Sequence, residues 1–145
     1  MDTSHLVVTD AEVDSALADP SVPLAVRAVW RALWEAEVRP LEAVALDVPG
    51  VELENCLIVL HDTKEGGSFE VDITDDLCRL LRDLIGARRT GPVFMHADRR
   101  LSVEDVASEF RRVTGKDVHG LRFTRQKRRT RLLAQFSSDT GSTGS

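Results

Sequence analysis

The hydrophobic periodicity of this chain changes twice, and that change limits the folds open to it. Residues 10–34 and 74–113 repeat apolar side chains at the spacing of amphipathic helices. Between Val44 and Ile73 the pattern instead contains a β-rich run and an alternating run. We therefore predict a mixed α+β fold that is mainly helical, with a small antiparallel sheet of three strands.

Four helices are predicted before the last quarter of the chain, each from a capping signal or a proline at its start. The first runs from Asp10 to about Ala18, behind the capping box of Thr9 and Glu12, and the second begins at about Pro23. The third runs from Thr74 to Gly86, and the fourth from Ser102 to about Val113. Their apolar stripes supply the predicted core, to which we also assign both tryptophans, Trp30 and Trp34.

Two strands and a turn are predicted from the central stretch. Residues 56–60 form the β-rich run, and Phe69, Val71 and Ile73 alternate with polar residues, which is typical of a strand with one buried face. Gly66 and Gly67 lie between the two runs. We therefore expect an antiparallel hairpin with its tip at residues 64–67.

The C-terminal part of the sequence predicts one more helix and then a tail. The helix should extend from about Leu121 to Phe136, and residues 137–145 are Ser, Gly and Thr apart from Asp139, with little to bury. We accordingly predict one domain over residues 1–136 and a disordered tail over 137–145.

Composition excludes several classes of protein. The chain has 145 residues, of which 42% are hydrophobic and 30% charged, as in an ordinary soluble globular domain. Cys56 and Cys78 lack metal-ligand spacing, so they are predicted to be buried thiols in a reducing compartment, and no metal or cofactor is expected. Because there is neither a long apolar span nor a signal sequence, we expect a cytoplasmic protein with no membrane partner, nucleoid-associated if bacterial.

Charge is distributed unevenly along the chain. Residues 111–131 contain nine Lys and Arg against one acid, although the whole chain has a net charge of −5. A basic block on an acidic body is typical of one face that meets a polyanion, and the alternative is a solvated basic helix. The candidate DNA-binding residues in this basic block are Arg111, Arg112, Lys116, Arg125, Lys127, Arg128, Arg129 and Arg131.

Four short segments, in their order along the chain, resemble one family. They are Val38-Arg39-Pro40-Leu41-Glu42, Leu46-Asp47-Val48-Pro49-Gly50-Val51, Asp62-Thr63-Lys64, and His119-Gly120-Leu121-Arg122-Phe123-Thr124. Each is common by itself, but together they resemble the catalytic domain of tyrosine recombinases, the phage integrase family, which shares its fold with type IB topoisomerases. The resemblance spans about residues 9–135.

The resemblance implies a role for each matching residue. Arg39 and Arg122 would clamp the non-bridging oxygens of a phosphodiester, where negative charge develops in the transition state. Lys64 would protonate the leaving oxygen, and His119 would carry a proton or donate a hydrogen bond. Glu42 matches an acid that is more often structural than chemical in the family. The alternatives are a surface arginine at 39, a solvated turn lysine at 64, a capping or packing histidine at 119, and one more phosphate-contacting cation at 122.

The sequence also departs from the family pattern. Glu37-Val38 precedes Arg39, where the family usually has a Thr-Gly pair for a tight turn, and valine resists positive φ. The family nucleophile is a tyrosine some tens of residues after the second arginine, but 23 residues follow Arg122 and the chain contains no tyrosine. We therefore expect no covalent phosphotyrosyl link from this chain alone.

Three functions follow as hypotheses. The first is a DNA-binding protein, a pseudoenzyme that keeps the phosphate clamp without strand transfer. The second is a fragment of an active DNA recombinase completed by a tyrosine in trans from another polypeptide. The protein partner expected beside DNA is a recombinase or a second copy of this chain. The third is a protein interaction scaffold whose basic helix meets an acidic partner. A steep fall of duplex affinity with salt would separate the first from the third.

Overall fold

The computed structural model of the chain describes residues 6–62 and 66–130. Six α-helices are present in this part of the chain: α1 (Asp10–Leu17), α2 (Leu24–Glu35), α3 (Pro40–Val44), α4 (Asp75–Ile85), α5 (Val103–Thr114) and α6, which is described over 119–130. A short 3-10 helix covers Val48–Gly50. The strands are β1 (Val51–Glu52), β2 (Leu57–Asp62), β3 (Gly67–Asp72), β4 (Met95–His96) and β5 (Arg99–Arg100). The mainly helical α+β architecture is confirmed. The short helix α3 and the strands β1, β4 and β5 were not predicted individually.

The helix ends follow the local signals in the sequence. Thr9 and Glu12 form the predicted capping box, with the Glu12 amide donating to Thr9 Oγ1 at 3.1 Å and the Thr9 amide donating to Glu12 Oε1 at 2.9 Å. Ser102 caps α5 in the same way, and Thr74 accepts a hydrogen bond from the Leu77 amide at the start of α4. These ends are set within a few residues along the chain, which is why sequence alone predicts them.

The three-stranded sheet has the order β1-β2-β3 and is antiparallel throughout. On the central strand, Ile58 and Leu60 are buried. Phe69 on β3 lies opposite Leu60 and is 41% exposed, so the prediction that Phe69 lies on a buried face is wrong. The physical reason is that β3 is an edge strand of the sheet and Phe69 lies near its hairpin end. The predicted hairpin tip lies partly at residues 63–65, outside the described residues, and Gly67 already belongs to β3.

A single hydrophobic cluster joins the helices to the sheet. At its centre, Trp30 is fully buried, packs edge-on against Phe110 with ring centroids 5.2 Å apart, and donates its indole N–H to the Val106 carbonyl at 3.1 Å. Trp34 is only half-buried. The prediction that both tryptophans are core residues is therefore confirmed for Trp30, whereas Trp34 lies at the edge of the core.

The two cysteines lie close together beneath the turn between β1 and β2. Cys78 is buried as predicted, whereas Cys56 is half-buried, and both thiols donate to the Leu53 carbonyl, at 3.3 and 3.8 Å. Burial, together with the neighbouring Cys56 thiol, raises the pKa of Cys78 to about 11. The Cys78 thiol is therefore protonated at neutral pH.

Within residues 6–62 and 66–130, none of the helices is long and apolar enough to cross a membrane. The predicted domain boundary at 136 and the tail over 137–145 lie outside the described residues and stay predictions.

Candidate nucleic-acid interface

Three of the four residues singled out by the family resemblance line one cleft. Arg39, His119 and Arg122 surround a space of about 450 Å³ between the start of α3 and the start of α6. Its remaining walls are Leu6, Pro40, Leu41, Val103, Phe123 and Gln126. We call this space the clamp cleft. The fourth residue, Lys64, lies outside the described residues, so its predicted position at the hairpin tip stays a prediction.

The backbone beside the clamp cleft holds the guanidinium of Arg122. Its Nε donates a hydrogen bond of 2.8 Å to the Glu37 carbonyl, across 85 residues of sequence. Fixing Nε orients the planar fork and leaves the two Nη groups as further donors. Arg122 is half-buried, so this fork is presented from a defined position rather than from a freely moving side chain.

Arg39 is exposed and reaches the clamp cleft from the N-terminus of α3. It lies on the short loop between α2 and α3, immediately before α3. Glu42 accepts a hydrogen bond of 2.9 Å from the Arg39 amide, so its carboxylate fixes the backbone that carries the arginine. This is the structural role expected for Glu42.

His119 lies at the first turn of α6 with its side chain 60% exposed. Its Nδ1 is 2.8 Å from Asp117 Oδ1, and its amide donates to the same oxygen at 2.9 Å. Because Nδ1 faces Asp117, a ligand in the clamp cleft would meet the opposite edge of the ring, at Nε2. The exposure excludes the alternative in which His119 is a buried packing residue.

The tight turn before Arg39 is made by Glu37. Helix α2 ends at Glu35 with Ala36 as its C-cap, and Glu37 then adopts a φ of 55°. This left-handed position after a helix normally favours glycine or asparagine and costs other residues about 1 kcal/mol. Val38 avoids positive φ and is buried, 2% exposed. A left-handed turn therefore precedes Arg39, one residue earlier than the valine.

Glu37 also places a carboxylate beside the arginines. Its Oε2 accepts a hydrogen bond of 2.5 Å from Arg129 Nη1 on α6. Among the described residues, Glu37 Oε1 is the buried side-chain oxygen without a hydrogen-bond partner. Sequence reasoning missed Glu37 as a site residue because its partners are far away along the chain.

Two smaller clefts adjoin the clamp cleft, and both include Arg39. One, of about 180 Å³, is lined by Glu37, Phe69 and Arg122 among others, and it places the exposed face of β3 next to the clamp. The other, of about 390 Å³, includes His61 of β2, to which we assigned no role from sequence. His61 and Phe69 could have been assigned to this site from the sequence only by knowing that the end of β2 lies beside α3.

Several members of the basic block have partners within the chain. Lys116 donates to Glu12 at 2.8 Å, Arg112 pairs with Glu109 at 2.6 Å, and Arg128 pairs with Asp10 at 2.8 Å. The hydrogen bond from Lys116 also lowers the pKa of Glu12 below its ordinary value. Lys116, between α5 and α6, and Arg128 on α6 thus pair with α1, whereas the Arg112 pair lies within α5. Part of the charge of the basic block therefore has a structural use.

The half-buried Trp34 ring is covered by cations of α6. The guanidinium carbons of Arg125 and Arg128 lie 5.3 and 5.4 Å from its centroid, and Lys127 lies 5.8 Å from the Phe123 ring. Such cation–π contacts hold α6 against α2. Arg131 lies outside the described residues, and the contribution of the basic block to DNA binding stays a prediction.

No metal site emerges from the part of the chain that the structure describes, where no group of three or more His, Cys, Asp or Glu residues could hold a metal ion.

Comparison with known proteins gives a result at the level of structure. No protein-family model matches the sequence, and no curated protein matches it. Among solved structures, XerA recombinase is similar with a TM-score of 0.68 and 18% identity, over 82% of this chain and 47% of that chain. Lambda integrase bound to DNA is similar with a TM-score of 0.66 and 14% identity, over 82% of this chain and 49% of that chain.

A third similar structure is the Tn1549 transposon integrase in complex with a circular intermediate DNA. Its TM-score is 0.65 at 12% identity, over 84% of this chain and 52% of that chain. The chain thus spans about half the length of the solved chains that it matches. Because these likenesses cover 82–84% of this chain, the chain has the fold of the catalytic domain of tyrosine recombinases.

Proposed function

We propose that this chain binds the phosphate backbone of duplex DNA in the clamp cleft, through Arg39, His119 and Arg122. The observation that carries the proposal is their convergence. Arg39 is far from the other two in sequence, yet all three line one cleft. The stability of the fold does not require two guanidinium groups and an imidazole at one place.

The chemistry of these groups fits a phosphodiester. An arginine can donate two parallel hydrogen bonds to two phosphate oxygens, and two such forks on one phosphate neutralise its charge. Arg122 is already oriented by its bond to the Glu37 carbonyl. His119 would add a donor at Nε2. Together these residues bind a phosphate without reading the bases, so the binding would be largely independent of DNA sequence.

Two further observations support DNA as the partner. Lambda integrase and the Tn1549 integrase, which share the fold, were solved with DNA. The basic block also begins on α5 and continues along α6, whose start forms part of the clamp cleft. A polyanion bound there would lie along a basic helix.

We further propose that the chain by itself does not break DNA strands. Transfer of the family type needs a tyrosine nucleophile, and these 145 residues contain none. Lys64 keeps its proposed role as general acid only in a complex that supplies that nucleophile.

A second candidate function is participation in strand transfer with a tyrosine from another polypeptide. The observation that favours it is that Arg39, Arg122 and His119 meet at one cleft, which is more than general DNA attachment requires. A covalent adduct on a nicked suicide substrate, formed only when a second recombinase chain is added, would support this candidate. For the chain alone we expect no adduct and no nicking of supercoiled plasmid.

The primary test of the proposal is duplex binding by Arg39→Ala and Arg122→Ala, measured by fluorescence anisotropy over a range of salt concentrations. Each substitution should cost of order 1 to 3 kcal/mol of affinity, because each removes a charge-assisted pair to phosphate. The double variant should lose less than the sum, since both forks hold one group.

Arg79→Ala is the matched control for charge. Arg79 is 72% exposed on α4, outside the clamp cleft, and should leave affinity nearly unchanged. If Arg39→Ala binds like wild type while Arg122→Ala is impaired, no shared phosphate site exists and only the basic block attracts DNA. If both variants bind like wild type, the proposal is wrong.

A further inference from the structure

Glu37 stands out beside the proposed phosphate site because its carboxylate has the same sign of charge as the ligand. Its backbone carbonyl accepts the Arg122 Nε–H at 2.8 Å, and its carboxylate accepts from Arg129 at 2.5 Å. It also lines the 180 Å³ cleft that contains Arg39 and Arg122. One residue therefore contacts Arg122 of the clamp cleft and Arg129 of the basic block by two different groups, and it shares a cleft with Arg39.

The backbone and the side chain of Glu37 act in opposite directions on an anion. The carbonyl orients the Arg122 fork, which favours phosphate binding. The carboxylate neutralises Arg129, whose side chain is 58% exposed and otherwise placed to meet a polyanion. A phosphate entering the cleft would also face a like charge, which disfavours its binding.

Two features of Glu37 are unfavourable despite its pairing with Arg129. Oε1 is buried without a hydrogen-bond partner among the described residues, and the residue has a φ of 55°. An unpartnered buried oxygen and a left-handed glutamate both cost free energy, and such features persist where the surrounding structure holds them in place.

We propose that Glu37 is an internal competitor of the phosphate: its carboxylate holds Arg129 away from the duplex and lowers the affinity of the clamp cleft for DNA. This inference rests on the proposed function, since it assigns a restraint to the same site. DNA binding then requires Arg129 to exchange the Glu37 carboxylate for a phosphate oxygen, which limits binding at physiological salt.

The test is Glu37→Gln, which keeps the shape and the backbone carbonyl but removes the charge. At low salt the variant should bind duplex DNA about 10-fold more tightly, because a like charge is removed and Arg129 becomes available. The slope of log affinity against log salt should become steeper by about 0.9, the value for one additional phosphate contact. A role confined to folding would not change that slope.

Glu35→Gln is the matched control. Glu35 is the last residue of α2, pairs with Arg31 at 3.3 Å, and lies outside the lining of the three clefts around Arg39. It changes the net charge by the same amount, so its salt slope should equal that of wild type. If Glu37→Gln and Glu35→Gln change affinity and slope equally, the inference is wrong.

Arg129→Gln completes a double-mutant cycle. Alone it should reduce affinity less than 2-fold, because Arg129 is already neutralised, but in the Glu37→Gln background it should remove most of the gain in affinity and slope. Equal effects of Arg129→Gln in both backgrounds would contradict the competition between Glu37 and phosphate.

Two measurements keep the result decisive. Should Glu37→Gln fail to fold by circular dichroism, Glu37→Asn removes the same charge with a residue that tolerates a left-handed φ. Arg122→Ala distinguishes a failure of the inference about Glu37 from a failure of the proposed function. If Arg122→Ala weakens binding and neither Glu37 variant strengthens it, the inference alone fails. If wild type and the Glu37 variants all show no salt-dependent binding, the proposed function fails and the inference fails with it.

Discussion

Trp30, at the centre of the core, and Glu37, beside the clamp cleft, are seven residues apart along the chain, yet they differ in how well their polar groups are satisfied. Trp30 is fully buried, with its indole N–H bonded to the Val106 carbonyl and its ring against Phe110. Glu37 has a left-handed backbone and a buried carboxylate oxygen without a partner among the described residues. Helix α2 therefore contains Trp30, whose backbone conformation and side-chain contacts are both favourable, and it ends shortly before Glu37, whose conformation and carboxylate burial are unfavourable.

The apolar residues of the two regions show the same difference. In the core, Leu33 is fully buried, whereas at the clefts Leu41 is 68% and Phe69 41% exposed. A core is stable when backbone conformation, packing and hydrogen bonding are all favourable, and residues with unfavourable conformations or unpaired groups are common at binding sites. Substitutions in the first region should therefore change stability, and those in the second should change binding.

The largest expected effect is that of Trp30→Ala. It removes the largest fully buried side chain among the described residues and should reduce the free energy of unfolding by about 3 to 5 kcal/mol. Urea unfolding followed by far-ultraviolet circular dichroism measures this without relying on tryptophan fluorescence. Trp34→Ala on the same helix is the control, and its loss should be roughly half or less, since Trp34 is half-buried. Equal losses would remove the distinction between the two regions.

An intermediate effect is expected for Gly120→Ala, at the contact between α6 and the N-terminal segment. A Cβ there would lie 2.7 Å from the Leu6 backbone oxygen, which is too close, and φ at Gly120 is not positive. Thr124 holds the same segment by donating to the Leu6 carbonyl at 3.2 Å and accepting from the Val8 amide at 3.1 Å. We expect a loss of about 1 to 3 kcal/mol in unfolding free energy, because backbone must move.

Gly67→Ala is the control for Gly120→Ala, since a Cβ at Gly67 meets no atom within 4 Å. It should stay within about 0.5 kcal/mol of wild type. A Gly120→Ala variant as stable as Gly67→Ala would show that the contact between Leu6 and α6 adjusts without cost.

The smallest effect on stability is expected for Leu41→Ala, in the wall of the clamp cleft. Because Leu41 is 68% exposed, the free energy of unfolding should change by less than about 0.5 kcal/mol. Leu33→Ala is the same substitution in the core and should cost about 2 to 5 kcal/mol. A large loss from Leu41→Ala, measured in the same urea titration, would mean that the cleft wall belongs to the core.

Much of the fold was predictable because its signals are local. The caps at Thr9, Thr74 and Ser102 and the helix ends at Gly86 and Gly115 each involve residues within a few positions of one another. The hairpin of β4 and β5 was missed for the converse reason. Its turn is made by Ala97 and Asp98, which have φ values of 53° and 62° although neither residue signals a turn strongly.

The residues of the candidate site also fall into two groups, those that local sequence motifs identify and those that they do not. Arg39, His119 and Arg122 were identified from their short motifs, and Glu42 was assigned a structural role. Glu37, His61 and Phe69 were missed as neighbours of the site, because nothing near them in sequence indicates which distant strand or helix lies beside them. For Phe69, alternation alone predicted burial, and only the edge position of β3 shows that it is exposed.

The sequence by itself determined where the helices begin and end, which stripes form the core, and that a basic block follows an acidic body, because these properties depend on neighbours along the chain. Only the tertiary structure decided that Arg39 and Arg122 share a cleft, that Glu37 rather than Val38 takes the left-handed turn, and that cations of the basic block pair with Glu12, Asp10 and Trp34. The physical reason is the separation along the chain over which each interaction acts. Capping and periodicity act within one or two turns of helix, whereas a site is assembled by packing between segments that are scores of residues apart.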